Sequence, residues 1–165
     1  MTMSKMKLKL ISTGIFVGCA LGLVTLRVAL ATPPSNPGFT ATTIVGPGLL
    51  GEVDTRSEID GHEVELKTRG YSDVWVTAIT IAPGKHGGWH SHPGPSIITV
   101  KSGEATLYDD CDDFLIPHVY AAGKAFVEDA DCVHILRNEG MTDLEVVVIQ
   151  LVPEDAPRRI DEQAP

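Results

Sequence analysis

Gly84-Lys85-His86-Gly87-Gly88-Trp89-His90-Ser91-His92 is the stretch on which the reading of this chain turns. Residues i and i+2 of a strand project from the same face, so His90 and His92 can share one metal ion. A third histidine, His134, follows in Asp131-Cys132-Val133-His134-Ile135-Leu136-Arg137-Asn138. Three imidazoles are a common ligand set for Zn, Fe, Cu or Ni.

Around these segments the chain is a series of short β-branched or alternating runs separated by Gly, Pro and Asp. They are Thr40 to Val45, Glu63 to Thr68, Val74 to Ala82, Ile97 to Val100, Ala105 to Tyr108, Lys124 to Glu128, His134 to Asn138 and Leu144 to Val152. No window carries a long, capped apolar repeat of 3.6 residues, so the expected class is all-β, an antiparallel sandwich or barrel. Val74 to Ile81 is apolar on both parities and is expected to lie centrally with both faces covered, and Leu144 to Leu151 reads as a similar late strand.

At 165 residues there is room for one domain. Residues 1–31 read as a signal peptide: Lys5, Lys7 and Lys9 precede an apolar run from Leu10 to Leu26, and Ala29-Leu30-Ala31 fits cleavage before Thr32. The rival is an uncleaved membrane anchor over Leu8 to Leu30, which Arg27 inside the run disfavours. Acylation at Cys19 is disfavoured by its poor context, Phe16-Val17-Gly18. Residues 32–38 form a Pro-rich lead-in, 39–152 the domain, and 153–165 a charged tail expected to hug the surface or fray.

The chain holds 13 Lys and Arg against 22 Asp and Glu, a net charge of −9. Four of the bases and none of the acids fall in residues 1–31, so the mature part carries −13. Such a surface repels nucleic acid and anionic lipid and suits an exported protein, periplasmic or secreted, with a small-molecule partner and no membrane association after cleavage. Cys111 and Cys132 remain as an even pair, for which a disulfide is the simplest reading; two free thiols, or a Cys132 thiolate beside the metal, are the alternatives.

The spacing Gly84, His90, His92, Ser96, Gly103 resembles the first conserved motif of the cupin superfamily, G-x5-H-x-H-x3-E-x6-G, with Ser96 in place of the glutamate. Gly123, Asp129, Asp131, His134 and Asn138 have the spacing of the second, G-x5-P-x-G-x2-H-x3-N, with Asp129 and Asp131 replacing its Pro and turn Gly. The two motifs span residues 84–138. The resemblance implies a single cupin double-stranded β-helix, a jelly-roll-like barrel, with His90, His92 and His134 as metal ligands. Dimerisation through sheet packing, common among relatives, is the assembly it allows.

Loss of the motif carboxylate at Ser96 leaves three neutral imidazoles, an arrangement similar to that of thiol dioxygenases and some diketone-cleaving cupins. The expected function is a three-histidine, dioxygenase-like enzyme acting on a small organic molecule. Its cofactor is expected to be a divalent transition metal, Fe first and then Zn, Mn, Ni or Cu. A non-catalytic module holding metal or ligand, and a metal-dependent isomerase or hydrolase, are the alternatives. The latter lacks an evident general base, since only Glu128, Asp129 or Tyr108 can substitute for the missing glutamate. Ser96, Asn138 and Tyr108 are the candidates for groups beside the ligands or the substrate. His86 reads as a rim residue, His62 and His118 as loop histidines, Trp89 as a packing residue between sheets, and Asp109 to Asp113 as a solvated acidic turn.

Overall fold

The computed structural model describes residues 30–111 and 116–165. Residues 1–29, which hold most of the expected signal peptide and Cys19, lie outside the described residues, as do Asp112 and Asp113 of the acidic turn. Among the described residues there are twelve strands and no helix: β1 (Phe39–Leu50), β2 (Asp54–Ile59), β3 (His62–Lys67), β4 (Ser72–Ile81), β5 (His90–Ser91), β6 (Ser96–Ser102), β7 (Glu104–Asp109), β8 (His118–Ala121), β9 (Ala125–Glu128), β10 (His134–Arg137), β11 (Leu144–Pro153) and β12 (Ile160–Asp161).

Two five-stranded sheets, ordered β1-β4-β11-β6-β9 and β12-β5-β10-β7-β8, form the double-stranded β-helix, and β2 and β3 pair as a separate exposed hairpin. All pairings are antiparallel. Strict alternation produces the core. On β6, Ile98 and Val100 are buried while Ile97 is 44% exposed; on β11, Leu144, Val146 and Val148 are buried while Ile149 is 41% exposed. Ala105, Leu107, Phe126 and Leu136 complete the contact from β7, β9 and β10.

Strand β11 is the middle of its sheet and β4 lies beside it, yet Val74, Val76, Ala78 and Thr80 of β4 are only half-buried. The expectation of two covered faces therefore overstates their burial. β-branched residues fit a half-covered pleated surface as well as a core, so an apolar run on both parities does not by itself mean two covered faces. Gly103 makes the β6–β7 turn with φ +78°, and a Cβ there would stand 2.7 Å from Asp143 O. Only glycine meets both demands.

Both segments expected to flank the domain are joined to it. Thr32 N donates to Glu162 O at 2.9 Å and Ser35 N to His86 O at 2.9 Å. In the tail, Ile160 pairs with Ser91 and Asp161 with His90. The tail thus completes a sheet edge against the strand that carries the first histidine.

Cys111 and Cys132 form a disulfide, with Cα atoms 5.6 Å apart, closing a loop between residues 21 apart in sequence. Restriction of such a loop in the unfolded chain stabilises a fold by about 2–4 kcal/mol. The double variant Cys111→Ser/Cys132→Ser is expected to lose that amount in urea unfolding; an unchanged midpoint would mean that the bridge restrains nothing that unfolding releases.

Candidate metal centre

Strand register builds the centre from two rows of side chains. Across one sheet, Trp75, Gln150, Ser96 and Glu128 are consecutive register partners on β4, β11, β6 and β9. Across the other, Asp161, His90, His134 and Asp109 are consecutive partners on β12, β5, β10 and β7. His92 follows β5 directly. Backbone ties hold this end together, since Asp131 N donates to His92 O at 2.8 Å. Asp131 stands at φ +62°, so the aspartate that replaces the motif glycine keeps a left-handed conformation, which Asp tolerates better than most residues.

His90, His92 and His134 are all buried, and one ring nitrogen from each lies within 4.8 Å of the others. Ring centroids are separated by 4.4 to 5.0 Å. Each Nδ1 meets a main-chain carbonyl: His90 that of Gly88 at 2.8 Å, His92 that of Arg158 at 2.7 Å and His134 that of Cys132 at 2.9 Å. An Nδ1 proton given to a carbonyl fixes the tautomer and leaves the Nε2 lone pair for a metal. Gln150 Nε2 lies 2.8 Å from His92 Nδ1, and its two protons have acceptors in Arg158 O at 2.9 Å and Ser96 Oγ at 3.3 Å.

The centre is not carboxylate-free. Glu128, buried at the end of β9, brings Oε2 to 3.4 Å from both His92 Nε2 and His134 Nε2. Ser96 and Glu128 are register partners, so the carboxylate missing from position 96 is supplied from the adjacent strand. That spacing is long for a charge-assisted hydrogen bond, about 2.7–2.9 Å, but close to the separation of about 3.0–3.5 Å between two donors that share an ion at 2.0–2.2 Å. His134 Nε2 has no hydrogen-bond partner despite full burial. The donor set therefore fits a divalent metal ion, with three imidazoles and one carboxylate able to hold it.

Electrostatics follow from the same contacts. Burial, then the charges of His134 and Arg159, push His90 down to about 2, so it is neutral. Burial opposes ionisation of Glu128, but His134 and the contacts from both histidines hold its carboxyl well below the usual range. Burial likewise opposes a charge on His134, and the Glu128 carboxylate outweighs it and raises that histidine. The buried carboxylate thus favours a positive charge beside it, which a cation can supply.

A cavity of about 310 Å³ opens onto the centre, lined by His90, His92 and Glu128, by apolar Phe39, Ile79, Ile98, Leu136 and Val148, and by Thr43, Thr77, Gln150, Arg158 and Arg159. Of the expected neighbours, Ser96 is wholly buried and touches the centre through Gln150. Asn138 is a structural clamp: Nδ2 donates to Ile81 O at 2.7 Å and Thr142 O at 2.8 Å, while Oδ1 accepts from Gly140 N at 3.0 Å. Tyr108 has the parity opposite to core residues Ala105 and Leu107, and its hydroxyl donates to Glu139 at 3.1 Å; it does not line the cavity. His118, expected in a loop, begins β8.

Glu128 entered the sequence reading only as a substitute base, and Gln150, Arg158 and Arg159 did not enter it. Glu128 shares the parity of core residue Phe126 on a four-residue strand. A charge at a core parity was the available signal.

Residues 78–150, the segment that holds all three histidines, match the family described as Cupin domain. An uncharacterised conserved protein with a double-stranded β-helix domain from Klebsiella pneumoniae subsp. pneumoniae MGH 78578 is similar in structure, with TM-score 0.51, 21% identity and coverage of 81% of this chain and 92% of that one. One of the DMSP lyases RdDddP and RnDddQII is similar with TM-score 0.53 and 18% identity, over 76% of this chain and 53% of that one. At these identities the likeness is one of fold. No curated protein matches the chain.

Glu128→Ala is expected to weaken metal retention by about tenfold or more, in the range seen when groups supporting a metal site are removed. Adding Ser96→Glu to that variant should restore most of the loss. Retention unchanged in Glu128→Ala would place the carboxylate outside the ligand set.

Proposed function

We propose that the protein is an exported metal-dependent enzyme that oxygenates a small organic molecule bound in the cavity beside the histidines. The observation that carries this reading is the convergence of three carbonyl-anchored imidazoles and the Glu128 carboxylate, of which His90, His92 and Glu128 line a largely apolar cavity. A divalent transition ion there, iron first and then Zn, Mn, Ni or Cu, supplies Lewis acidity and, as iron, access to dioxygen chemistry. The apolar walls exclude water and orient the substrate body, while the Nδ1 contacts keep each imidazole in register during turnover. The Cys111–Cys132 disulfide supports an oxidising, exported location.

Glu128 also favours a second reading. As an ion-bound donor it leaves the cavity without a free base, which supports oxygen chemistry. Off the ion, held as a buried carboxylate, it is a base for isomerisation or hydrolysis.

Protein purified without a histidine tag is expected to carry near-stoichiometric iron by mass spectrometry, lost in His90→Ala/His134→Ala, and to consume oxygen with its substrate. If Glu128→Gln keeps its metal and loses turnover, the proton-transfer reading replaces oxygenation. No metal after reconstitution with each candidate ion would leave a non-catalytic binding cupin.

A further inference from the structure

Two consecutive arginines of the C-terminal tail line the cavity, in a chain whose net charge is −9. Arg158 lies 4.4 Å over the Trp75 ring and donates only to neutral acceptors: Gln150 Oε1 at 3.3 Å, Thr43 Oγ1 at 3.2 Å and Thr77 Oγ1 at 2.6 Å. No carboxylate among the described residues pairs with it. Arg159 directs Nε to Asp161, but its Nη2 is buried with no hydrogen-bond partner. Its charge reaches the centre, where it acts on both His90 and His134.

A buried guanidinium nitrogen without an acceptor is costly unless something arrives to accept from it. With a divalent ion added, the cavity holds more positive charge than Glu128 and Asp161 balance. The geometry points to a substrate that is a small organic carboxylate: we infer that one carboxylate oxygen accepts from Arg159 Nη2, with Arg158 adding a second unpaired positive charge, while an apolar body packs on Ile79, Ile98, Leu136 and Val148. This rests on the reading of the cavity as the substrate site. A volume of about 310 Å³ lies at the small end of ligand pockets, about 300–1,000 Å³. Planar guanidinium recognition of carboxylates is the strong, directional form of such contacts.

The test is isothermal titration of the full protein with 4-methylpentanoate and benzoate, with their neutral primary amides, and with inorganic phosphate, alongside metal analysis of the same samples. Both acids are expected to bind at least tenfold more tightly than their amides. Arg159→Gln should remove at least tenfold of the acid affinity while leaving amide binding, metal content and melting midpoint unchanged. Arg159→Lys, which keeps the charge and loses the fork, should lose about threefold and keeps the test decisive if the glutamine variant fails to fold. Equal affinity for acids and amides, acid binding indifferent to Arg159, no binding of either acid, or phosphate binding as tightly as the acids would each overturn the inference. A metal-free protein that still prefers the acids through Arg159 would sink the metal reading alone; a metal-loaded protein without that preference would sink this inference alone.

Discussion

Three imidazoles and one carboxylate are buried together, and each must be satisfied without losing the atoms that converge. The solution is asymmetric. Every histidine turns Nδ1 toward a main-chain carbonyl, from Gly88, Arg158 or Cys132, so that the opposite nitrogens face one another. Side-chain acceptors would bring rotamer freedom of their own, whereas these carbonyls are held by neighbouring structure. Gly88 illustrates the demand: it adopts φ +76°, and a Cβ there would stand 2.2 Å from Thr32 O. The lead-in can cross the histidine hairpin at that distance only because residue 88 has no side chain.

The carboxylate shows how a barrel preserves a chemical group while changing its position. Positions 96 and 128 are partners on adjacent strands and share the inward face. A glutamate can therefore leave one and enter at the other while still reaching the same imidazoles. Ser96 is small enough to make room, and its hydroxyl accepts from Gln150, which in turn abuts His92. The row from Gln150 through Ser96 to Glu128 behaves as one polar layer laid across an otherwise apolar sheet. Electrostatics tie it to the facing row, because Glu128 and His134 each shift the other toward its charged form.

Much of this was legible in the chain. The His90-Ser91-His92 alternation, the spacing to His134 and the absence of helical periodicity gave the barrel and its histidine cluster, because metal ligands on strands obey a period of two that single residues reveal. What escaped depended on pairing between distant segments. Glu128 shares the parity of Phe126, but that it reaches the histidines emerges only when β9 is set beside β6. Tyr108 looked able to reach the cavity, but the register of β7 against β10 turns it outward to Glu139. Asn138 shares parity with His134, yet the backbone carbonyls of Ile81 and Thr142 claim its amide. No local pattern in residues 153–165 announces that they pair with β5, since β12 is two residues long and carries no apolar alternation.

That tail is where metal geometry and substrate choice become one problem. The carbonyl of Arg158 orients His92, its side chain enters the cavity, and the next residue adds a second guanidinium. Strand β12 then fixes both against β5 through the pairing of Asp161 with His90. Movement of this segment cannot change the cavity's charge without also releasing a histidine from its carbonyl. The lead-in takes part as well, because Thr32 bonds to Glu162 across the same edge. Both ends of the described chain are thus fastened beside the histidines, by backbone bonds and by the Arg158 side chain. One short segment therefore carries the two cations that face the cavity and the carbonyl that aims one ligand, which couples the lining of the cavity with the integrity of the centre.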